Sequence, residues 1–411
     1  MIQTSADPAT YVSRFINQTN KNVFLTGKAG TGKTTLLRNI VSTTYKKCLI
    51  AAPTGIAAIN AGGVTIHSLF QLPFGGFIPV KETQTLHNNT KLNDPVSLIR
   101  HLQMHDNKRK LLRELELLII DEVSMLRADL LDAIDLVLRH VRRNNLPFGG
   151  VQMLFIGDML QLPPVVKDDE WQVLRPYYNS AYFFDAVVLQ KNKPVYIELD
   201  KIFRQADQRF VDLLNHLRNN ELTRSDFDLL NTFYKPGYKH DPSDGYITLT
   251  THNYKAIELN RRFLDKLQGT SRFFDAQVQD DFNENAFPLE RKLELKIGAQ
   301  VMFVKNDPSG NQKFFNGKIG FVASLTDDIE VKFNDGSPSV IVSRYEWKNV
   351  KYKINEKSKE IEENIAGTFS HYPIKLAWAI TVHKSQGLTF DKAIIDIGDA
   401  FAPGQVYVAL S

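Results

Sequence analysis

The segment Gly27-Lys28-Ala29-Gly30-Thr31-Gly32-Lys33-Thr34-Thr35 constrains this chain more than any other. It fits the pattern G-x-x-x-x-G-K-[ST]. Asn22 to Thr26 is an apolar run that predicts a strand, and Thr35 to Val41 predicts the helix after it. A strand, a glycine loop and a helix N-terminus turn several backbone N–H groups towards one point, as a triphosphate requires. The pattern assigns Gly30, Thr31, Gly32 and Thr35 to the phosphate cradle. Lys33 is expected at the β- and γ-phosphates, and the Thr34 hydroxyl on Mg2+. The alternative is a glycine-rich turn that meets the pattern by chance; the strand and helix around it argue against that.

Leu118-Ile119-Ile120-Asp121-Glu122 is an apolar strand ending in two acids. Behind a phosphate loop, Asp121 is expected to hold Mg2+ through water and Glu122 to polarise the attacking water. Alone, such a pair is an ordinary strand end. Ile156-Gly157-Asp158-Met159-Leu160-Gln161-Leu162-Pro163-Pro164 ends another strand. Gln161 is placed there to sense a γ-phosphate or a water, or the segment is a turn with structural prolines; spacing leaves both readings open. Lys201-Ile202-Phe203-Arg204-Gln205 reads as part of a second block. An arginine from another domain stabilises charge on the γ-phosphate, an effect of ~10³–10⁵ in rate in other systems. Singly, Arg204 reads equally as a surface or ion-paired residue.

At 411 residues the chain exceeds one ordinary domain. Its 43% hydrophobic content suits globular cores, and no run approaches the ~18–20 apolar residues of a membrane span. The N-terminal stretch has no basic flank followed by an apolar core, so no secretory signal is expected. The one cysteine, Cys48, excludes an intrachain disulfide and reads as a buried thiol. A net charge of +4 permits a polyanionic partner without requiring one.

Strands and helices alternate through residues 1–193. Lys47 to Ala52, Leu115 to Ile120 and Val151 to Ile156 read as buried parallel strands. Ala128 to Val141 is a one-sided helix whose charged face (Asp129, Asp132, Asp135, Arg139, Arg142) reads as solvated surface. Residues 71–104 break the rhythm with Leu72-Pro73-Phe74-Gly75-Gly76-Phe77-Ile78-Pro79, an excursion that is either a surface loop or a ligand-touching wedge. A second α/β block is expected over 194–411, opening on the strand Val195 to Leu199 and continuing with Tyr246 to Thr250. Short strands at Gln300 to Val304, Ile319 to Ala323, Ile329 to Phe333 and Val340 to Val342 suggest a small barrel inserted over about 296–366. The polar run Lys353 to Asn364 is expected to be an exposed loop or edge.

Four loops next to predicted strands suit a nucleic-acid track. They carry Pro53, Thr54 and Gly55; His67, Ser68 and Phe70; Thr251, His252 and Asn253; and His383, Lys384 and Ser385. Hydroxyls, backbone N–H groups and a lysine suit phosphates; His and Phe suit base stacking, worth ~1–3 kcal/mol per base. Each histidine, taken singly, reads as well as a hydrogen-bonded core residue. Beyond the expected Mg2+ pair, no metal-ligand spacing or Ser-His-Asp set is visible.

Taken in order, GKAGTGKTTLLRNI, APTGIAAINAGGVTIHSLF, IIDEVSML, FIGDMLQLPPV, LDKIFRQAD, AWAITVHKSQGLTFDKAII and GQVYVALS resemble the superfamily 1B DNA helicases of the petite-integration-frequency family. The motifs run from Gly27 to Ser411. Ala128 to Gly150 looks like that family's own signature, which favours it over the RecD-like helicases. The resemblance implies an α/β fold of two RecA-like domains in tandem, with a wedge subdomain in the first and an SH3-like barrel in the second. It implies ATP-driven 5′-to-3′ movement on single-stranded DNA and unwinding of duplexes at ss/ds junctions. It also implies action on G-quadruplexes, and roles in repair, recombination and telomere maintenance. It carries Lys33, Thr34, Asp121, Glu122, Gln161 and Arg204 onto the ATPase positions and Gly387 onto the nucleotide side. Pro53, Thr54, His67, Ser68, His383, Lys384 and Ser385 fall in motifs that line the DNA channel. A monomer that dimerises on DNA, with no membrane partner, is expected; so is a bacterial or phage cytoplasmic location, or nuclear or mitochondrial in a eukaryote.

Two departures stand out. Thr10 occupies the region where the family carries an adenine-selecting Gln, and Gln3 lies earlier. The family motif at Ala409-Leu410-Ser411 continues with an Arg that reaches the γ-phosphate, so this chain is expected to turn over more slowly than a longer one. Two other classes remain: a P-loop ATPase acting on another target, which oligonucleotides would not stimulate, and a DNA-binding module with a vestigial nucleotide site.

Overall fold

The structure is a computed structural model. It describes residues 7–411 apart from 74, 82–91, 103, 204, 206, 285–286, 310–312, 327 and 355–360, and it leaves the side chains of 56, 350–354 and 361–364 undescribed. The chain divides into two compact units, one of Met1–Val211 with Lys351–Asn364, the other of Asp212–Val350 with Ile365–Ser411.

The first unit is built on a six-stranded sheet ordered Val64–Thr65, Cys48–Ala52, Leu117–Ile120, Gln152–Ile156, Val23–Gly27, Val195–Leu199. Every pairing is parallel. Of the four inner strands, Leu117–Ile120, Gln152–Ile156 and Val23–Gly27 are buried throughout, which suits their mostly apolar runs. The edge strand Val195–Leu199 was expected to open the second block; it instead pairs with Val23–Gly27 along its full length. Its alternating burial suits an edge position.

The helix Ala128–Arg142 corrects a second expectation. Its acidic face is not solvated: Asp129, Asp132 and Asp135 are 2%, 6% and 2% exposed. Each carboxylate accepts backbone N–H groups from a distant segment. Asp129 takes Phe77 at 2.9 Å, Asp132 takes Val187 and Val188 at 2.9 Å each, and Asp135 takes Phe148 at 2.6 Å. Arg142 donates to the carbonyls of Leu112, Arg113, Leu115 and Gly149 at 2.6–2.8 Å. The helix thus satisfies loops whose peptide groups would otherwise be buried without partners. Within the 71–104 excursion, Leu72, Phe77 and Ile78 are buried in the unit. Gly76–Phe77 pairs with Leu92–Asn93, so the described part is not a plain surface loop.

The second unit has a three-stranded parallel sheet ordered Ala379–Thr381, Ile247–Thr250, Ala393–Asp396. Its antiparallel sheets are consistent with an inserted β domain. The largest is ordered Val340–Val342, Ile329–Lys332, Ile319–Leu325, Gln300–Phe303, Ile374–Leu376, so its last strand lies beyond the expected end of the insertion. The polar run expected as an exposed loop or edge lies partly in strands Tyr345–Ile354 and Ile361–His371; 355–360 are outside the described residues. No helix among the described residues is long and apolar enough to cross a membrane.

Burial pushes the Asp132 carboxyl up to about 6, against the pull of its two N–H donors. The folded chain therefore holds a proton there that the unfolded chain releases between about pH 4 and 6, and this group's contribution to stability is lost as pH rises through that window. Stability of the native chain relative to Asp132→Asn should fall by ~1–3 kcal/mol from pH 4 to 6.5 and then level off. Thermal unfolding of both across this range checks it; a difference that grows with pH contradicts it.

Candidate nucleotide and nucleic-acid sites

Parallel register sets the candidate nucleotide site. Leu25 aligns with Ile156 and Ile120 with Phe155, so the loops leaving three adjacent strands begin side by side. Those loops carry Lys28 to Gly32, Asp121-Glu122 and Gly157 to Gln161. Ligands of α/β sheets bind at such carboxyl edges.

The phosphate loop has the backbone its glycines allow. Gly30 and Gly32 have φ of 77° and 85°, in the left-handed region that favours glycine. Gly32 is the N-cap of helix Lys33–Thr43 and, having no side chain, places none between the helix N-terminus and a ligand. Thr31 is 3% exposed and its hydroxyl donates to Lys28 O at 2.9 Å. Lys33 Nζ donates to Gly27 O at 2.6 Å and Lys28 O at 2.9 Å, curled onto the loop it would leave for a phosphate. Thr34 and Thr35 are exposed on the first turn.

Asp121 sits in line with Ala51, whose carbonyl accepts its N–H at 3.0 Å. Burial raises its carboxyl above the usual range, opposed by the Glu122 N–H at 2.9 Å and by the charge of Lys33. The half-buried Asp121 carboxylate and the Thr34 hydroxyl are hard oxygen donors of the kind that suits Mg2+, which prefers one or two protein oxygens plus phosphates and water. Among the described residues no three His, Cys, Asp or Glu side chains gather into a metal cluster of their own. Glu122 adopts φ 52°, uncommon for a residue with a side chain, and starts the short turn Val123–Met125.

Gly157 holds that turn in place and was not singled out from the sequence; its signal is a glycine directly after an apolar strand. A Cβ there would lie 3.0 Å from Val123 N and 3.2 Å from Ser124 N. Gln161 N–H donates to Asp158 O at 3.0 Å, with Asp158 and Leu162 fully buried on either side. Phe203 is a second residue missed. Its N–H donates to Gly30 O at 2.9 Å, and its ring would lie 3.8 Å from a Cβ on Gly32. The Lys201-Ile202-Phe203 stretch therefore belongs with the phosphate loop of the first unit, not with a second block as expected. Arg204 lies outside the described residues, as does Gln3; Thr10 lies in helix Pro8–Gln18.

The expected nucleic-acid residues fall into two groups, one in each unit. In the first, Thr54 caps helix Gly55–Ala61 by accepting the Ala57 N–H, with Pro53 just before it. His67 and Ser68 lie on helix Ile66–Phe70, Ser68 exposed and His67 half-buried. Burial and then Arg127 lower the His67 pKa, with Asp129 opposing. Phe70 is fully buried in the core, so it presents no stacking face; the helix turns Ile66, Leu69 and Phe70 inward together.

In the second unit, the loops after all three parallel strands converge. His252 and Phe401 rings lie 5.3 Å apart, His252 and Tyr254 5.5 Å, and His383 stacks on Phe401 at 6.0 Å. Phe401 and Tyr254, missed in the sequence, are 62% and 61% exposed. Asn253 and Lys384 are exposed nearby in sequence, and Gly387 takes φ 77°. Thr251 and Ser385 are buried; Thr251 Oγ1 pairs with His252 Nδ1 at 2.7 Å, and Ser385 Oγ donates to Val382 O at 2.9 Å. Exposed rings suit base stacking, and an exposed lysine suits phosphate contact.

A family model described as PIF1-like helicase matches residues 9–227. The human ATP-dependent DNA helicase PIF1 is 32% identical over 402 residues, covering 95% of this chain and 56% of the human protein. The chain thus spans about half the length of the curated relative it matches. The crystal structure of Bacteroides sp Pif1 with ADP-AlF4 is 40% identical, matching all of this chain and 90% of that one at a TM-score of 0.86. Bacteroides Pif1 in complex with ADP-AlF3 and ssDNA, also 40% identical with the same shares covered, gives 0.67.

The Gly157 packing yields a test. Gly157→Ala should push the Val123–Ser124 backbone and misaim Glu122, lowering triphosphate turnover ~10-fold or more while diphosphate affinity stays within about twofold. Turnover kinetics beside a fluorescent-nucleotide titration check this; native turnover, or equal losses in both, contradicts it.

Proposed function

The chain belongs to the PIF1-like helicase family, and from that premise we propose that it is an ATP- and Mg2+-dependent DNA helicase. It moves 5′ to 3′ along single-stranded DNA and opens duplexes at ss/ds junctions, with G-quadruplexes among its substrates. The alignment of phosphate loop, Asp121-Glu122 and Gly157–Gln161 at one sheet edge is the observation that carries the ATPase part. Lys33 leaves the Gly27 and Lys28 carbonyls to meet the β- and γ-phosphates. Thr34 and Asp121 hold Mg2+, which when bound neutralises charge on the phosphate oxygens. Glu122 orients and polarises the attacking water, and Gln161 reads the γ-phosphate from the neighbouring strand end. Arg204, adjoining the Phe203 anchor, is assigned to charge developing on the γ-phosphate.

For the DNA, Thr54, Gly55 and Ser68 offer hydroxyl and backbone contacts to phosphates, with His67 beside them. His252, Tyr254, His383 and Phe401 offer stacking faces and Lys384 a phosphate partner; the exposed rings of Tyr254 and Phe401 favour single strands, whose bases are free to stack. The complex of a relative with ssDNA and a nucleotide analogue supports both halves of the reading. Movement then requires that ATP-bound and ATP-free states grip DNA differently.

ATP hydrolysis with and without a single-stranded oligonucleotide tests the proposal. The native chain should be stimulated, and Lys33→Ala should lose ~10²-fold or more in turnover, the scale for deleting one preorganised donor. No stimulation of the native chain contradicts the reading.

A further inference from the structure

Gln405 is fully buried and opens the helix Gln405–Leu410. The residues before it, Ala402-Pro403-Gly404, build a tight turn. Gly404 takes φ 78° and ψ −17°, the glycine position of a type II turn, and Pro403 stands where that turn favours proline. Gln405 N–H donates to Ala402 O at 3.4 Å and closes the turn. The Gln405 side chain then folds back over the same segment. Its Oε1 accepts the Phe401 N–H at 3.0 Å and the Ala402 N–H at 3.4 Å. Its Nε2 has no hydrogen-bond partner among the described residues, so the oxygen is the end of the amide that makes contacts. Upstream, Ala400 N–H donates to Ile397 O at 3.0 Å, and Asp399 pairs with Lys255 of helix Asn253–Lys266.

The Phe401 ring is exposed, so burial does not fix it. It meets His252 at 5.3 Å and His383 at 6.0 Å, rings carried on the segments after the other two parallel strands. Where the ring lies relative to both histidines depends on the direction of its Cα–Cβ bond, and so on the peptide groups at 401 and 402. The Gln405 carbonyl holds both of those from inside the core. Without that acceptor, two part-buried N–H groups lose their partner, and the segment turns to satisfy them elsewhere. A ring that is already in place gives up less freedom when a base stacks on it than one ordered only on binding.

We propose that Gln405 is a positioning residue for single-stranded DNA: its buried carbonyl holds Phe401 beside His252 and His383 as a preformed face for an unpaired base. This rests on the DNA reading above. Gln405 itself touches no base. Its effect is confined to strands that carry bases, because the ring it places has nothing to stack on in a bare sugar-phosphate chain.

The test compares the affinity of the full chain for a fluorescein-labelled single-stranded oligonucleotide with its affinity for an abasic strand of the same length, by anisotropy. Gln405→Met keeps the side chain's length and removes the acceptor. It should weaken binding of the base-bearing strand ~10-fold, the scale of one lost stack, and leave the abasic strand within about twofold. Gln405→Glu, which keeps an oxygen at the same reach, should recover most of the loss. Phe401→Ala should show the same base-dependent loss, and combining it with Gln405→Met should add no more than about twofold, since both act through one ring. Gln405→Asn draws the oxygen back by one methylene and serves if Gln405→Met does not fold; it should show the same split at smaller size. If Phe401→Ala loses base-dependent affinity while Gln405→Met does not, or if Gln405→Met weakens both strands equally, or if the two losses multiply, the proposal is overturned and the DNA reading stands. A native chain that binds the base-bearing strand no better than the abasic one overturns the stacking reading and this proposal with it.

Discussion

Parallel pairing of three buried strands is the constraint from which the candidate nucleotide site follows. Because Leu117–Ile120, Gln152–Ile156 and Val23–Gly27 are adjacent and in register, the residues that leave their carboxyl ends need no further device to meet. A parallel sheet points every strand's loop to the same edge, and the helix after Gly32 adds its N-terminus there. Lys33, held by two carbonyls of its own loop, shows that this edge accommodates a cation and a hydrogen-bond donor at the point where phosphate oxygens would arrive. Val123 and Gly157 pack so closely that a Cβ on Gly157 would lie 3.0 Å from the Val123 backbone N.

Around this edge, buried charge does the bracing. Helix Ala128–Arg142 turns three aspartates inward and uses each as an acceptor for peptide groups of other segments. Loops that carry function cannot all be satisfied by the sheet, and an unpaired buried N–H is costly. Carboxylates on a rigid helix solve that problem while fixing where each loop sits. The excursion, the Val187–Gln190 helix and the Pro147–Gly150 turn are all registered against the same element.

Much of this was legible in the sequence where the determinants are local. The phosphate loop needs glycines at positive φ within a few residues, and it shows them. The parallel strands needed only unbroken apolar runs. The aspartates of Ala128–Arg142 were misread because spacing along a helix is the same whether a carboxylate meets water or a peptide N–H from Val187, far away in the chain. Val195–Leu199 was misplaced because a strand next in sequence to one block paired with another. Phe70 was taken for a stacking residue because a five-residue helix is too short to reveal which side is buried. Phe401 and Tyr254 were invisible as a pair, since only the fold brings the loops after Ile247–Thr250 and Ala393–Asp396 together.

The central claim is that a triphosphate held at this sheet edge drives directional movement along an unpaired strand. Stopped-flow arrival at oligonucleotides labelled at one end measures it most directly, with strand length varied. The account predicts an ATP-dependent lag that lengthens with the strand when the dye is at the 3′ end and no such lag at the 5′ end. A signal independent of ATP or of length, or a lag at the 5′ end instead, would contradict it.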